Sequence, residues 1–173
     1  MIEIYCGDGK GKTTASVGLA VRGAGHNIKV LFMQFMKGDS SGEIAVLRSI
    51  PYVRVYHTPV FYGFVKNMTD EQKEEMCGHY SRLIKKASDE IRSGRNEKMI
   101  VILDEVIHAN NYGLLKDEEL LNLIDNCPDN VEIVLTGRNP SPELIKRADY
   151  ISEIKKIKHP YDRGIMAREG IEL

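Results

Sequence analysis

The feature that most constrains the fold is a glycine-rich loop near the N-terminus: Gly7, Asp8, Gly9, Lys10, Gly11, Lys12, Thr13 and Thr14. It lies between an apolar stretch, Ile2–Cys6, that predicts a short buried strand, and residues 13–24, whose apolar positions predict a helix ended by Gly25. Glycines let backbone N–H groups turn inward around phosphate oxygens, and the helix N-terminus adds positive potential. Lys12 supplies a point charge, and the Thr13 hydroxyl is a ligand for Mg²⁺. The loop therefore predicts a cradle for a nucleoside triphosphate.

The loop departs from the strict pattern G-x-x-x-x-G-K-[ST], which places a glycine where this chain has Cys6. The loop is thus about one residue shorter than that pattern. The alternative is a glycine-rich turn that only begins a helix. Because Gly11, Lys12 and Thr13 occur together after a strand and before a helix, phosphate binding is the favoured interpretation.

The rest of the chain alternates between strands and helices. Apolar stretches predict strands at 28–35, Val53–His57, 99–103, Val131–Thr136 and 150–157. Helix signals are a capping box from Thr69 to Gln72 with a stop at Ser93 and Gly94, a cap at Asp117, and Ser141 before Pro142. This order predicts an α/β fold, a mostly parallel sheet with helices on both faces, and we expect residues 1–173 to form one domain.

Composition excludes several classes of protein. Hydrophobic residues at 42% and charged residues at 28% exclude disorder, and a net charge of -1 argues against coating nucleic acid or an anionic membrane. No apolar run approaches the roughly 18 residues of a membrane span, and no secretory signal pattern opens the chain. Cys6, Cys77 and Cys127 are too far apart in sequence for a metal-ligand pair, so we expect a reduced, cytoplasmic setting. From the charge balance and the short apolar runs, we expect no nucleic-acid or membrane partner.

Polar residues follow two of the predicted strands. Asp104 and Glu105 come after strand 99–103, at the sheet edge where carboxylates can hold Mg²⁺; the alternative is an acidic strand end facing solvent. Arg138 follows the next strand, and a phosphate contact and an ordinary surface arginine are equally supported. The basic segment 155–168 either covers an anionic ligand or is a solvated tail. Glu105 and His108 have a spacing that suits two metal ligands on a helix, but one such pair is weak evidence, so His108 is interpreted as packing or polar lining.

The chain ends with a further pattern, Lys158-His159-Pro160-Tyr161-Asp162-Arg163-Gly164 to Gly170-Ile171-Glu172-Leu173. Together with the motifs above, this ending resembles the P-loop class of ATP:corrinoid adenosyltransferases over nearly the whole chain. The resemblance implies a recombinase-like P-loop fold that transfers the 5'-deoxyadenosyl group of ATP to Co(I) of a corrinoid and releases triphosphate. It also implies Mg²⁺ or Mn²⁺, a cytoplasmic homodimer, a reductase such as a flavoprotein for Co(II), and ATP bound in reverse with its γ-phosphate deep in the short loop.

The resemblance also implies roles for particular residues. Lys12 and Thr13 would be catalytic, and Thr13, Asp104 and Glu105 would hold the metal. The whole glycine loop, Arg138, Phe61 and Phe64 would bind the nucleotide and the corrinoid. Since Co(I) is itself a strong nucleophile, the protein needs no general base; it must align the reactants and stabilise triphosphate.

Three aromatic residues, Phe61, Tyr62 and Phe64, lie close together in the loop 58–68. They are expected either to pack on the corrin or to fold back on the helix from Thr69. Some family members carry an N-terminal extension, whereas here the first strand starts at Ile2; some carry a tryptophan where this chain has Lys66.

Rival functions share the phosphate loop. A P-loop kinase or other NTPase would release ADP, and a recombinase-like ATPase would need a surface for single strands of nucleic acid. A nucleotide-sensing module would bind ATP without turnover.

Overall fold

Residues 1–38 and 41–171 of the computed structural model are described here. They contain one sheet of six parallel strands in the order β3-β2-β4-β5-β1-β6. The strands are β1 Ile2–Cys6, β2 Lys29–Gln34, β3 Val53–His57, β4 Met99–Asp104, β5 Val131–Thr136 and β6 Tyr150–Glu153. Glu172 and Leu173, the last two residues of the family-like ending, lie outside the described residues.

Helices cover both faces of the sheet, as the sequence predicts. They are α1 Lys12–Gly25, α2 Gly42–Ser49, α3 Asp70–Ser93, α4 Val106–Asn111, α5 Asp117–Asp125 and α6 Pro142–Arg147, with 3₁₀ turns at Val65–Asn67 and Pro160–Arg163. Side chains of α1 and α2 form one core with one face of the sheet, and those of α3 to α6 form a larger core with the other. Successive residues of β4 alternate between these cores, Val101 belonging to the larger and Ile102 to the smaller.

The long helix α3 follows its sequence signals closely. Thr69 accepts a hydrogen bond from the backbone of Gln72, whose side chain bonds back to the Thr69 backbone, and the helix ends before Gly94. Its buried face includes every apolar position that the helical spacing predicts: Met76, Tyr80, Leu83, Ile84, Ala87 and Ile91. Ser141 and Pro142 begin α6 as predicted.

Other predicted details are wrong. No helix was predicted at α2 or α4. Both are short, so no repeated apolar spacing marks them, and packing against the sheet stabilises them instead. Asp117 does not cap α5: Lys116 has the N-cap position, and Asp117 is the first helical residue. Strand β6 ends at Glu153, well short of residue 157.

Helix α1 packs through small residues rather than through its largest apolar ones. Ser16, Ala20, Gly23 and Ala24 are buried, whereas Val21 is exposed. A Cβ on Gly23 would lie 2.6 Å from a side-chain carbon of β4, so close packing on the sheet selects small side chains.

Parallel strands bring six carboxyl ends to one edge, where the glycine loop, Gln34, Asp104 and Thr136 lie. Across residues 1–38 and 41–171, no helix is both long and apolar enough to cross a membrane.

Candidate nucleotide and metal site

The glycine loop is fixed by close approach of the chain just after β6. The Gly9 N–H donates to the Ile154 carbonyl at 2.7 Å, and the Ile154 N–H donates to the Cys6 carbonyl at 2.8 Å. A Cβ on Gly7 or on Gly9 would lie 2.5 Å or 2.7 Å, respectively, from the Ile154 carbonyl oxygen. Glycine is therefore required at both positions by a backbone neighbour, a reason that the sequence alone does not reveal.

Lys12 closes the loop from inside. This first residue of α1 donates from its ammonium group to the carbonyls of Gly7 at 2.8 Å and Gly9 at 2.9 Å. Burial lowers the pKa of Lys12, opposed mainly by the charge of Glu105. Phosphate oxygens bound in the loop would meet an ammonium already aimed at its centre.

Thr13 and Asp104 meet across the sheet edge, as the metal-site prediction requires. The Thr13 hydroxyl donates to Asp104 Oδ2 at 3.2 Å, and the Thr136 hydroxyl donates to Oδ1 at 2.8 Å. Asp104 is fully buried, and burial raises its pKa while the charge of Lys37 lowers it. Thr136 also accepts from the Glu105 N–H at 2.8 Å, so one side chain orients both acidic residues.

Three residues that the sequence analysis did not identify complete this group. The Gln34 amide donates to Asp104 Oδ2 at 3.3 Å and to Glu43 Oε1 at 3.0 Å. Lys37 pairs with Glu43 at 3.4 Å and with Asp104 at 3.7 Å. The available signal was that polar residues occur at and shortly after the end of buried strand β2: Gln34 is its last residue, and Lys37 follows three residues later. Glu43 lies on the unpredicted helix α2.

The oxygen atoms present suit Mg²⁺ or Mn²⁺. Among the described residues, no three His, Cys, Asp or Glu side chains cluster as a complete metal site. Mg²⁺ in nucleotide sites takes one or two protein oxygens and fills its remaining positions with phosphate and water. Thr13 and Asp104, with oxygens 3.2 Å apart, fit that requirement.

Glu105 is directed differently from Asp104. It has a left-handed backbone conformation, φ 62°, and its carboxylate is hydrogen-bonded to His108 one turn along α4. Burial would raise its pKa, but the bond and charge of His108, together with the charges of Lys37 and Lys12, hold the pKa below its usual value. Of the two predicted roles for His108, packing or polar lining, this carboxylate contact favours polar lining.

Arg138 emerges beside the loop but makes only a loose contact. Its guanidinium lies 3.9 Å from the Asp8 carboxylate, and both side chains are more than half exposed. Lys10 and Thr14 are exposed on the same loop. These residues surround the cradle without being fixed in it.

The three aromatic residues of the loop 58–68 do not share one environment. Tyr62 folds back: its hydroxyl donates to Glu75 of α3 at 2.5 Å, and its ring packs on the larger core. Phe61, which is 47% exposed, lies against Gly38, and Phe64 is 77% exposed. Phe61 and Phe64 therefore remain exposed in the loop that follows the carboxyl end of β3.

The basic C-terminal segment lies beside the loop rather than apart from it. An open cleft of about 360 Å³ is bounded on one side by Gly9 and Lys10. Its other side is formed by Lys155, Lys156, Ile157, Lys158, His159, Pro160, Arg168 and Ile171. The basic side chains therefore lie where they could cover an anionic ligand in the loop, although most of them are also exposed to solvent.

The family model and the similar proteins of known name point to the same family. Residues 1–173 match the family model described as ATP:corrinoid adenosyltransferase BtuR/CobO/CobP. A corrinoid adenosyltransferase of Pseudomonas aeruginosa is 32% identical over 99% of this chain and 83% of its own length. Proteins of the same name from Escherichia coli K12 and a Sinorhizobium species are 30% and 32% identical, over 85% and 79% of their lengths and 99% of this chain.

Proposed function

The chain belongs to the ATP:corrinoid adenosyltransferase family, and on that premise we propose which of its residues transfer the 5'-deoxyadenosyl group of ATP to the cobalt of a corrinoid. The observation that carries the assignment is the group formed by Lys12, Thr13 and Asp104. In it, a lysine aimed into the glycine loop adjoins a hydroxyl and a buried carboxylate 3.2 Å apart. Such a group binds a triphosphate together with its metal ion.

The reaction requires little acid or base catalysis by the protein. The electron pair of Co(I) forms the cobalt-carbon bond at C5', and the pair of the breaking C5'–O bond leaves with triphosphate. Lys12 and the backbone N–H groups of the loop bind the phosphate oxygens as negative charge develops there. Bound Mg²⁺ or Mn²⁺ would add neutralisation of the triphosphate charge.

Positioning is the second contribution of this chain. We propose that the glycine loop, including Asp8, Lys10 and Thr14, holds ATP together with Arg138 so that C5' faces outward. Thr13 and Asp104 would hold the metal directly, and Glu105, whose carboxylate is bonded to His108, would contribute through water. Phe61 and Phe64 offer an exposed apolar surface on the same edge for the corrin ring. Correct alignment of C5' with cobalt accounts for a large share of the rate enhancement.

The proposed reaction also needs an electron donor. Co(I) must be generated from Co(II), so a reductase such as a flavoprotein would supply electrons. We also propose a homodimer working in the cytoplasm, a setting consistent with three free cysteines.

The decisive experiment follows both products at once. The protein is mixed with ATP, Mg²⁺ and chemically reduced cob(I)alamin; cobalt-carbon bond formation is followed spectroscopically and phosphate products are separated by ion exchange. We expect one triphosphate per bond formed. Stoichiometric ADP and orthophosphate without a cobalt-carbon bond would instead favour the alternative, a P-loop kinase or NTPase of another pathway.

A further inference from the structure

One ammonium group lies among the oxygens of the candidate metal site. Lys37 Nζ is 3.4 Å from Thr13 Oγ1, 3.4 Å from Glu43 Oε1 and 3.7 Å from Asp104 Oδ2. These oxygens come from α1, α2 and β4, three elements remote in sequence. A positive charge at their meeting point is therefore built into the tertiary structure.

The two carboxylates are held in place independently of Lys37. The amide of Gln34, which is fully buried, donates to both Asp104 and Glu43. Ser41 also donates to Glu43, at 2.8 Å. Loss of the Lys37 charge would therefore leave two negatively charged groups near each other and near Thr13.

Two hydrogen bonds anchor the backbone just before Lys37. The Phe35 N–H donates to the Asp104 carbonyl at 2.9 Å, and the Met36 N–H donates to the Tyr80 hydroxyl at 2.9 Å. Met36 has a positive φ of 56°, an uncommon conformation that such contacts must maintain. In contrast, the Lys37 side chain is 34% exposed, so its ammonium group can swing away while the backbone stays fixed.

A divalent ion and this ammonium group compete for the same oxygens. Because Mg²⁺ binds oxygen at about 2.1 Å, an ion on Thr13 Oγ1 would lie within about 5.5 Å of Lys37 Nζ. Repulsion between cations this close in a buried setting disfavours simultaneous occupancy. Metal binding by Thr13 and Asp104 therefore requires the ammonium group to move.

We propose that Lys37 is a resident counter-ion of the metal site, whose ammonium group neutralises Asp104 and Glu43 and is exchanged for the divalent ion when metal and ATP bind together. The inference rests on the proposed metal role of Thr13 and Asp104. Triphosphate in the neighbouring loop gives the displaced ammonium group new anionic partners. Free metal lacks those partners, so Lys37 keeps the site selective for metal that arrives with nucleotide.

The test measures Mn²⁺ binding without any nucleotide, by the electron paramagnetic resonance signal of free Mn²⁺. Lys37→Met removes the charge and keeps much of the side-chain length. We expect this variant to bind one Mn²⁺ at least tenfold more tightly than the unaltered protein. Lys37→Arg, which retains the charge, should bind Mn²⁺ as weakly as the unaltered protein does. Lys85→Met, at an exposed pair with Asp89 on α3, is the matched control and should change nothing.

The site of any gained affinity is then checked in the double variant Lys37→Met, Glu43→Gln, which should lose most of the gain. Mn²⁺ binding by Lys37→Met no tighter than by Lys37→Arg would overturn the proposal. A gain that persists unchanged in the double variant would also overturn it, since the ion would then lie elsewhere. If Lys37→Met fails to fold in a thermal melt, the same comparison is made with Lys37→Gln. These measurements contain no ATP or corrinoid, so a negative result is separate from the product analysis that tests the proposed reaction.

Discussion

Replacing Gly9 by alanine tests how the phosphate loop is held against the sheet. The added Cβ would lie 2.7 Å from the carbonyl oxygen of Ile154, 2.8 Å from its Cγ2 and 2.9 Å from the carbonyl carbon of Lys155. Two of these atoms belong to the backbone and cannot rotate away. The chain after β6 must shift, and the 2.7 Å hydrogen bond from Gly9 to Ile154 must lengthen or break.

The expected cost follows from these contacts. Overpacking by one methyl group costs about 1–3 kcal/mol, and the disturbed hydrogen bond accounts for about 1 kcal/mol of that range. Strand β6 is an edge strand paired only with β1 in the described sheet, so it yields before the central strands do. We therefore expect Gly9→Ala to lower the free energy of unfolding by about 2 kcal/mol and to weaken ATP binding.

Gly18→Ala is the matched control. Gly18 lies in α1, a Cβ there has open space around it, and its φ is not positive. Alanine in a helix interior should stabilise the protein by about 0.5–1 kcal/mol. Urea unfolding gives both stabilities, and isothermal titration calorimetry gives both ATP affinities. If Gly9→Ala is as stable as Gly18→Ala and binds ATP equally well, the close approach of Ile154 does not constrain the loop.

Three further predictions concern single side chains. Lys12→Ala should lose about 3 kcal/mol of transition-state stabilisation, roughly a hundredfold in rate, whereas Lys85→Ala should not; near-normal adenosylation by Lys12→Ala refutes its role. Phe64→Ala should lose far more activity from Co(II) with a protein reductant than from pre-reduced Co(I), and its unfolding should change by less than about 0.5 kcal/mol because the ring is exposed; equal losses in both assays contradict corrin packing. Burial raises the pKa of Tyr80 to about 12, whereas the same side chain in the unfolded chain ionises near pH 10. The free energy of unfolding should therefore fall as the pH rises from about 10 to 12. Tyr80→Phe should remove up to about 3 kcal/mol of that fall in stability in urea unfolding across this pH range; at pH 7 it should cost about 1–3 kcal/mol because the Met36 N–H loses its partner. An unchanged slope above pH 10 would show that Tyr80 ionises as it does in solvent.

Local signals in the sequence determined much of this protein. A glycine loop between a strand and a helix, the capping box at Thr69 and the regular apolar spacing of α3 each act over a few residues, so they can be read without knowing the fold. Buried strands followed by polar residues were also sufficient to predict that Asp104 would share an edge with the loop. Parallel strands have their carboxyl ends on one side, so this juxtaposition follows from strand direction alone.

The tertiary structure alone decided the features that depend on contacts between distant segments. Gly7 and Gly9 are required because Ile154 approaches them, and Glu43 reaches Asp104 through Gln34 from a helix too short to show a periodic pattern. The same holds for Lys37, whose ammonium group contacts oxygens from three other elements that only the fold brings together. Hydrogen bonds and close backbone contacts act over about 3 Å in space, whatever the separation along the chain, and sequence patterns do not record such distances.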